Sequence, residues 1–112
     1  MASLSTHVLD TTRGAPAAGV VVHLHACQHG ERRHLITVAT NPDGRAAGPP
    51  LEPGIYELTF EAAAYFRAAG TALSDPPFFN EVVVRFGIGD TAVHYHVPLL
   101  LAPYSYATYR GS

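Results

Sequence analysis

Apolar residues recur at every second position in short runs along this chain, and clusters of Gly, Pro, Asn and Asp separate the runs. That pattern restricts it to sheets of short strands. Leu4 and Val8 alternate with Ser5 and His7. Val20, Val22, Leu24 and Ala26 alternate with His23 and His25, and Leu35 to Val38 continues the β-branched bias. Turn chemistry at Arg13-Gly14-Ala15-Pro16 and at Gln28-His29-Gly30-Glu31 predicts hairpin connections from the first strand to the second and from the second to the third. Asn41-Pro42-Asp43-Gly44-Arg45 combines a turn-forming Pro, an Asp able to hydrogen-bond the backbone and a φ-permissive Gly, so Arg45 is presented from a fixed turn. After the loop Gly48 to Gly54, Ile55 to Phe60 reads as a strand with Tyr56, Leu58 and Phe60 inward and Ile55, Glu57 and Thr59 opposite. Glu61 to Ala69 is the only segment of strong helix formers, a two-turn helix closed by Gly70. Pro76-Pro77 resets the chain, and Glu81 to Ile88, Val93 to Leu101 and Tyr104 to Tyr109 read as further strands. Seven or eight short strands and one small helix point to an all-β antiparallel β-sandwich spanning residues 1–112 as one domain. No internal repeat is visible.

Composition bounds the function. With 112 residues, 47% of them hydrophobic, the chain supports one core that buries about two-thirds of the unfolded surface, and oligomer formation would add to it. A net charge of −2 provides no field to draw nucleic acid or an anionic membrane, so neither is an expected partner. All seven cationic side chains are Arg, which fits either a need for forked hydrogen bonds or an Arg-favouring codon bias. The single Cys27 cannot close an internal disulfide, which suits a reducing compartment and makes the cytoplasm the expected location. No apolar run reaches about 18 residues, and the start MASLSTHVLD lacks the order of a secretory signal.

The histidines carry the chemical interest. In the strand from Val93, the set Val93, Tyr95, Val97 and Leu99 takes the core face and leaves His94, His96 and Pro98 on the other. Pro98 cannot donate to a ladder, so an edge, a bulge or a strand end is expected beside it. His7 also lies off the core face. By pattern it is either an ordinary exposed histidine or a catalytic one, and Arg45 is either a solvated turn residue or part of a site. His23-x-His25 repeats the two-residue spacing and admits three readings: a solvated strand face, support for a site, or a metal-binding pair. A His-x-His pair alone is a weak metal signal, because a stable site needs three or four ligands and no Cys or acidic residue stands at a familiar spacing.

Three blocks make the sequence recognisable: Leu4-Ser5-Thr6-His7-Val8-Leu9-Asp10, Thr40-Asn41-Pro42-Asp43-Gly44-Arg45, and the strand from His94-Tyr95-His96 running on to Tyr109-Arg110-Gly111-Ser112. In order and spacing, the chain resembles the 5-hydroxyisourate hydrolases, the transthyretin-like enzymes of urate breakdown. The tail separates two members of that fold. Transthyretin, the hormone carrier, shares a Leu-Leu-x-Pro-Tyr-Ser-Tyr stretch but lacks Tyr-Arg-Gly-Ser, so the resemblance favours enzyme over carrier.

The resemblance implies a transthyretin-like sandwich of about eight strands, assembled as a homotetramer, a dimer of dimers, with sites between the dimers. It implies a small purine-derived substrate whose cyclic amide bond is opened by water to give 2-oxo-4-hydroxy-4-carboxy-5-ureidoimidazoline. Carried over residue by residue, it assigns His7, Arg45, His96 and Ser112 to catalysis and His7, Arg45 and Tyr109 to substrate binding, with Ser112 offering a hydroxyl or a terminal carboxylate. It requires no metal and no cofactor. His94 matches the family block but stands outside that set, with orientation, packing and chemistry all open to it. A ligand carrier without turnover and a histidine-rich metal-binding domain are the competing readings. Turnover excludes the first, and absence of stoichiometric metal excludes the second.

Overall fold

Alternation of side chains along the strands becomes two facing sheets in the computed structural model, which describes residues 1–112. In chain order the elements are β1 (Ser3–Asp10), β2 (Ala15–Pro16), β3 (Val21–Gln28), β4 (Glu31–Ala39), β5 (Arg45–Ala47), β6 (Gly54–Phe60), α1 (Ala62–Ala68), β7 (Val82–Ile88), β8 (His94–Ala102) and β9 (Ser105–Thr108). One sheet runs β2-β1-β8-β9, with β5 also paired to β1, and the other runs β4-β3-β6-β7. All strand pairs are antiparallel except β1 with β8, which are parallel from Ser3 opposite His94 to Asp10 opposite Leu101.

Between the sheets pack Leu4, Val8, Tyr95, Val97, Leu99 and Leu101 from the first and Val22, Leu24, Tyr56, Leu58, Phe60 and Val82 from the second. Burial of such side chains is worth about 2 kcal/mol each. The helix joins this core through Ala62, Tyr65 and Phe66, and Gly70, at φ +83°, turns the chain after it. Glu61 precedes the helix without capping it, because its carboxylate is taken by His23 at 2.7 Å.

Several sequence expectations are corrected. The turn at Arg13 to Pro16 does not join the first long strand to the second as a hairpin. It folds the two-residue β2 back on Leu9 and Asp10, and the chain then crosses to the other sheet for β3. Asp10 braces the turn before that crossing: only 1% exposed, it accepts hydrogen bonds from the backbone of Thr12 and Arg13 and from the Tyr65 hydroxyl. The hairpin at Gln28 to Glu31 does form. Val93, expected on the core face, precedes β8 and is 37% exposed. The face of β6 opposite the core is not simply exposed either. Glu57 and Thr59 are buried there, Glu57 between Arg32 Nε at 2.7 Å and Arg85 Nη1 at 3.2 Å.

The Arg32 hydrogen bond holds the Glu57 carboxyl below the ordinary glutamate range. A carboxylate depressed in the folded state stabilises fully above its unfolded pKa of about 4.3, and that contribution disappears as pH falls through the lower folded value. Glu57→Gln is therefore expected to be less stable than wild type at neutral pH and to converge with it in acid, read as thermal midpoints across pH 2 to 7, a range of about five units.

The turn before β5 is built on Asn41 rather than Asp43: Asn41 Oδ1 accepts the backbone N–H of Asp43 at 3.0 Å and of Arg45 at 2.9 Å. Gly44, at φ +76°, presses against β1, where an added Cβ would stand 2.5 Å from the Val8 carbonyl oxygen. Gly44→Ala is expected to cost about 3 kcal/mol in urea unfolding, from left-handed strain plus backbone collision.

Candidate active site

The outward face of the first sheet gathers the predicted residues by register. One row reads Ala47, Ser5, His96 and Gly111 across β5, β1, β8 and the tail. The next reads Arg45, His7 and Pro98 across β5, β1 and β8. His7 thus has Arg45 directly opposite and His96 on the diagonal toward β8, both within reach of long side chains. Alternation sends Leu4, Thr6 and Val8 inward and leaves Ser5 and His7 half-buried on this face.

Tail and strand meet at Pro98. The regular β8–β9 ladder stops at Leu99 opposite Thr108 and resumes at His96 opposite Gly111. Backbone groups of alternate residues point to the same side, so the N–H that Pro98 lacks would have faced β9. The Thr108 hydroxyl binds the Pro98 carbonyl at 2.7 Å instead. Beyond the gap the Gly111 N–H donates to the His96 carbonyl at 2.8 Å, and the Arg110 guanidinium lies 4.8 Å from the Tyr95 ring centroid. A Cβ on Gly111 would come 2.6 Å from His96 Cδ2, so only glycine lets the tail lie against this imidazole. Ser112 follows directly and is exposed. Tyr109 is 59% exposed and borders a cleft with Phe86, Tyr95 and Val97, and no hydrogen bond joins it to His7, Arg45 or His96.

His96 is held below the ordinary histidine range, first by burial and then by the electrostatic influence of Arg45, His94 and His7. A neutral imidazole beside a guanidinium can take a proton from water while the guanidinium receives developing negative charge. Sequence reasoning left three participants on this face unassigned. Ser3 and Ser5 bracket the His94 ring, and Ser5 also binds His96. Their signal was the outward alternation Ser3, Ser5, His7, but its partner strand was not readable.

His23 and His25 lie on the other sheet and do not support this face. Neither is a plain solvated side chain. His23 is bonded to Thr37 and Glu61, and His25 sits edge-on to His34 at 5.3 Å with Nδ1 shut off from solvent and unpaired. A bulge between Leu24 and His25 causes this by placing His34 rather than Leu35 opposite His25. Burial, followed by Arg32, His34 and His23, lowers the His25 pKa. No group of three or more His, Cys, Asp or Glu side chains has the geometry to hold a metal ion.

A family model described as the HIUase/Transthyretin family matches residues 4–111. The chain is 56% identical to 5-hydroxyisourate hydrolase 2 of Rhizobium meliloti, with 97% of this chain and 95% of that protein covered. Among solved structures it superposes on Klebsiella pneumoniae 5-hydroxyisourate hydrolase with TM-score 0.84 at 41% identity, both chains covered completely. It superposes on sea bream transthyretin in complex with thyroxine with TM-score 0.85 at 26% identity, covering 96% of this chain and 93% of that one.

Proposed function

Because this chain belongs to the HIUase/Transthyretin family, we infer that it is a hydrolase that opens the ring of 5-hydroxyisourate in urate degradation. Water adds to a ring carbonyl carbon, the carbonyl oxygen becomes an oxyanion, and the carbon–nitrogen bond breaks as the nitrogen takes a proton. The product is 2-oxo-4-hydroxy-4-carboxy-5-ureidoimidazoline. The observation that carries the mechanism is the convergence of His7, Arg45 and His96 on one sheet face from three separate stretches of chain.

His7 and His96 orient and deprotonate the water and return a proton to the leaving nitrogen, and Arg45 holds the oxyanion through its fork. Tyr109 binds the ring and Ser112 extends the hydrogen-bond network, a reading supported for Ser112 by the contact of its neighbour Gly111 with His96. Residues 1–112 act as one domain. The sheet face carrying these groups is open, and its supporting role for a planar substrate improves if another copy covers it. The proposed assembly is therefore a homotetramer, a dimer of dimers, with sites where the dimers meet. The cytoplasm suits the unpaired Cys27, and no helix is long and apolar enough to cross a membrane.

The test is the ultraviolet decay of 5-hydroxyisourate freshly made from urate, with and without purified protein. Acceleration by wild type that is lost in His7→Asn supports the reading. A folded tetramer that leaves the decay rate unchanged overturns it.

A further inference from the structure

Four side chains on the outward face form one unbroken hydrogen-bonded chain. Ser3 Oγ lies 2.6 Å from His94 Nδ1, Ser5 Oγ lies 2.7 Å from His94 Nε2, and the same Ser5 Oγ lies 2.8 Å from His96 Nδ1. The two imidazoles stand nearly parallel, 22° apart, with centroids at 6.4 Å. A serine hydroxyl carries one hydrogen, so Ser5 donates to one ring and accepts from the other. The tautomers of the two histidines are thereby locked together. If His96 carries its proton on Nδ1, Ser5 donates to His94 Nε2 and His94 donates from Nδ1 to Ser3. If Ser5 donates to His96 instead, every bond in the chain reverses.

We propose that His94, acting through Ser5, is the positioning residue for His96: it fixes the His96 proton on Nδ1, leaving Nε2 free as base, and takes the positive charge that proton abstraction creates. The inference rests on the reading of His96 as the group that works on water. The protons balance. His96 Nε2 takes the proton of the attacking water, the Nδ1 proton passes to Ser5, and the Ser5 hydroxyl proton passes to His94 Nε2. His96 is left neutral and protonated on Nε2, and His94 is left cationic. When the ring nitrogen leaves, Nε2 gives up its proton and the chain runs back to its starting state, with no net proton held by the protein.

The environments make His94 the better place for the charge. His96 is half-buried and faces Arg45 from β5 and His7 from β1, whereas His94 is exposed at the start of β8. Burial and like charge both oppose an imidazolium at His96, consistent with its lowered pKa. Water stabilises one at His94. A tautomer held by a polar partner is worth several powers of ten in rate where it has been dissected in other enzymes.

The test combines turnover with ¹⁵N NMR of histidine-labelled protein. Wild-type His96 is expected as a single tautomer with its proton on Nδ1. Ser5→Ala is expected to show a mixture of tautomers and a kcat lower by about tenfold with KM nearly unchanged, and Ser5→Thr to restore both readouts by returning the hydroxyl. His94→Gln, which keeps a hydrogen-bonding amide but cannot take the proton, is expected to lower kcat by a similar factor with KM nearly unchanged. Wild-type kcat and a single Nδ1–H tautomer in Ser5→Ala would overturn the proposal, as would a wild-type kcat in His94→Gln. His96→Asn with wild-type turnover would instead overturn the parent reading, and the NMR arm reads the chain independently of turnover.

Discussion

His96→Asn is expected to keep the sandwich and lose at least about a hundredfold in kcat for 5-hydroxyisourate, the loss typical of removing a positioned general base. Asparagine matches the size of part of the ring and can still bind Ser5, but it cannot accept a proton near neutral pH. Arg45→Ala should cost a comparable factor for a different reason, because the oxyanion loses its forked donor at the moment charge appears. In the proposed mechanism His7, opposite Arg45 and diagonal to His96, shares the work, so the three losses should be far from additive. The pH profile adds an independent check. With His96 held below the ordinary histidine range, its basic form persists into mild acid, and the acid limb of kcat/KM in wild type should fall below about pH 6.5. Stopped-flow ultraviolet decay for each variant, with circular dichroism to certify folding, measures all of this. Wild-type turnover in any one of them would remove that residue from the mechanism.

The second large effect is expected from the tail. Deleting Arg110, Gly111 and Ser112 removes the Gly111 N–H bond to the His96 carbonyl and the Arg110 contact with Tyr95, but no core side chain. Stability should fall by only about 1–2 kcal/mol, while activity falls to the level of spontaneous decay. Gly111→Ala isolates the geometric part. Its Cβ would intrude on His96 Cδ2 at 2.6 Å, so either the imidazole rotates off Ser5 or the tail lifts off β8. Displacement of a catalytic ring by about 1 Å is worth about a hundredfold in rate. A truncated protein that unfolds at room temperature would show that the tail is structural before it is functional.

Alternation alone exposed much of this face in the sequence. Ser5, His7, His94 and His96 fall outside the apolar stripes, and the fixed turn before Arg45 is written in Asn41 to Gly44. What alternation cannot encode is which strands become neighbours. The parallel union of β1 with β8 joins segments from opposite ends of the sequence, so nothing local indicated that Ser5 would stand beside His96 or Ser3 beside His94. The crossing after β2 was hidden for the same reason: Arg13 to Pro16 carries hairpin chemistry and does make a small hairpin, but nothing in those residues says that the next long strand joins the other sheet. Asp43 looked like the hydrogen-bonding member of its turn because Asp and Asn are chemically alike there, and only geometry decides for Asn41. The three readings of His23-x-His25 stayed open because neither the Glu61 partner of His23 nor the bulge that sets His34 opposite His25 leaves a trace in their own spacing.

The parallel pairing of β1 with β8 also bears on how the protein is made. A ribosome releases residues in order, and the sheet β4-β3-β6-β7 has all its strands outside the exit tunnel once Ile88 has emerged. β1 is synthesised before any of them, yet its longest partner arrives only with His94 to Ala102. Throughout that interval an apolar strand waits with an open edge, the condition under which nascent chains stick to one another or to a chaperone. Pairings so distant in sequence are slow to close, because the entropy of the intervening loop must be surrendered first. The face that carries His7, Arg45 and His96 is thus completed only after the strands of the other sheet have emerged, and the delay before His94 to Ala102 follow sets how long that edge of β1 stays unpaired.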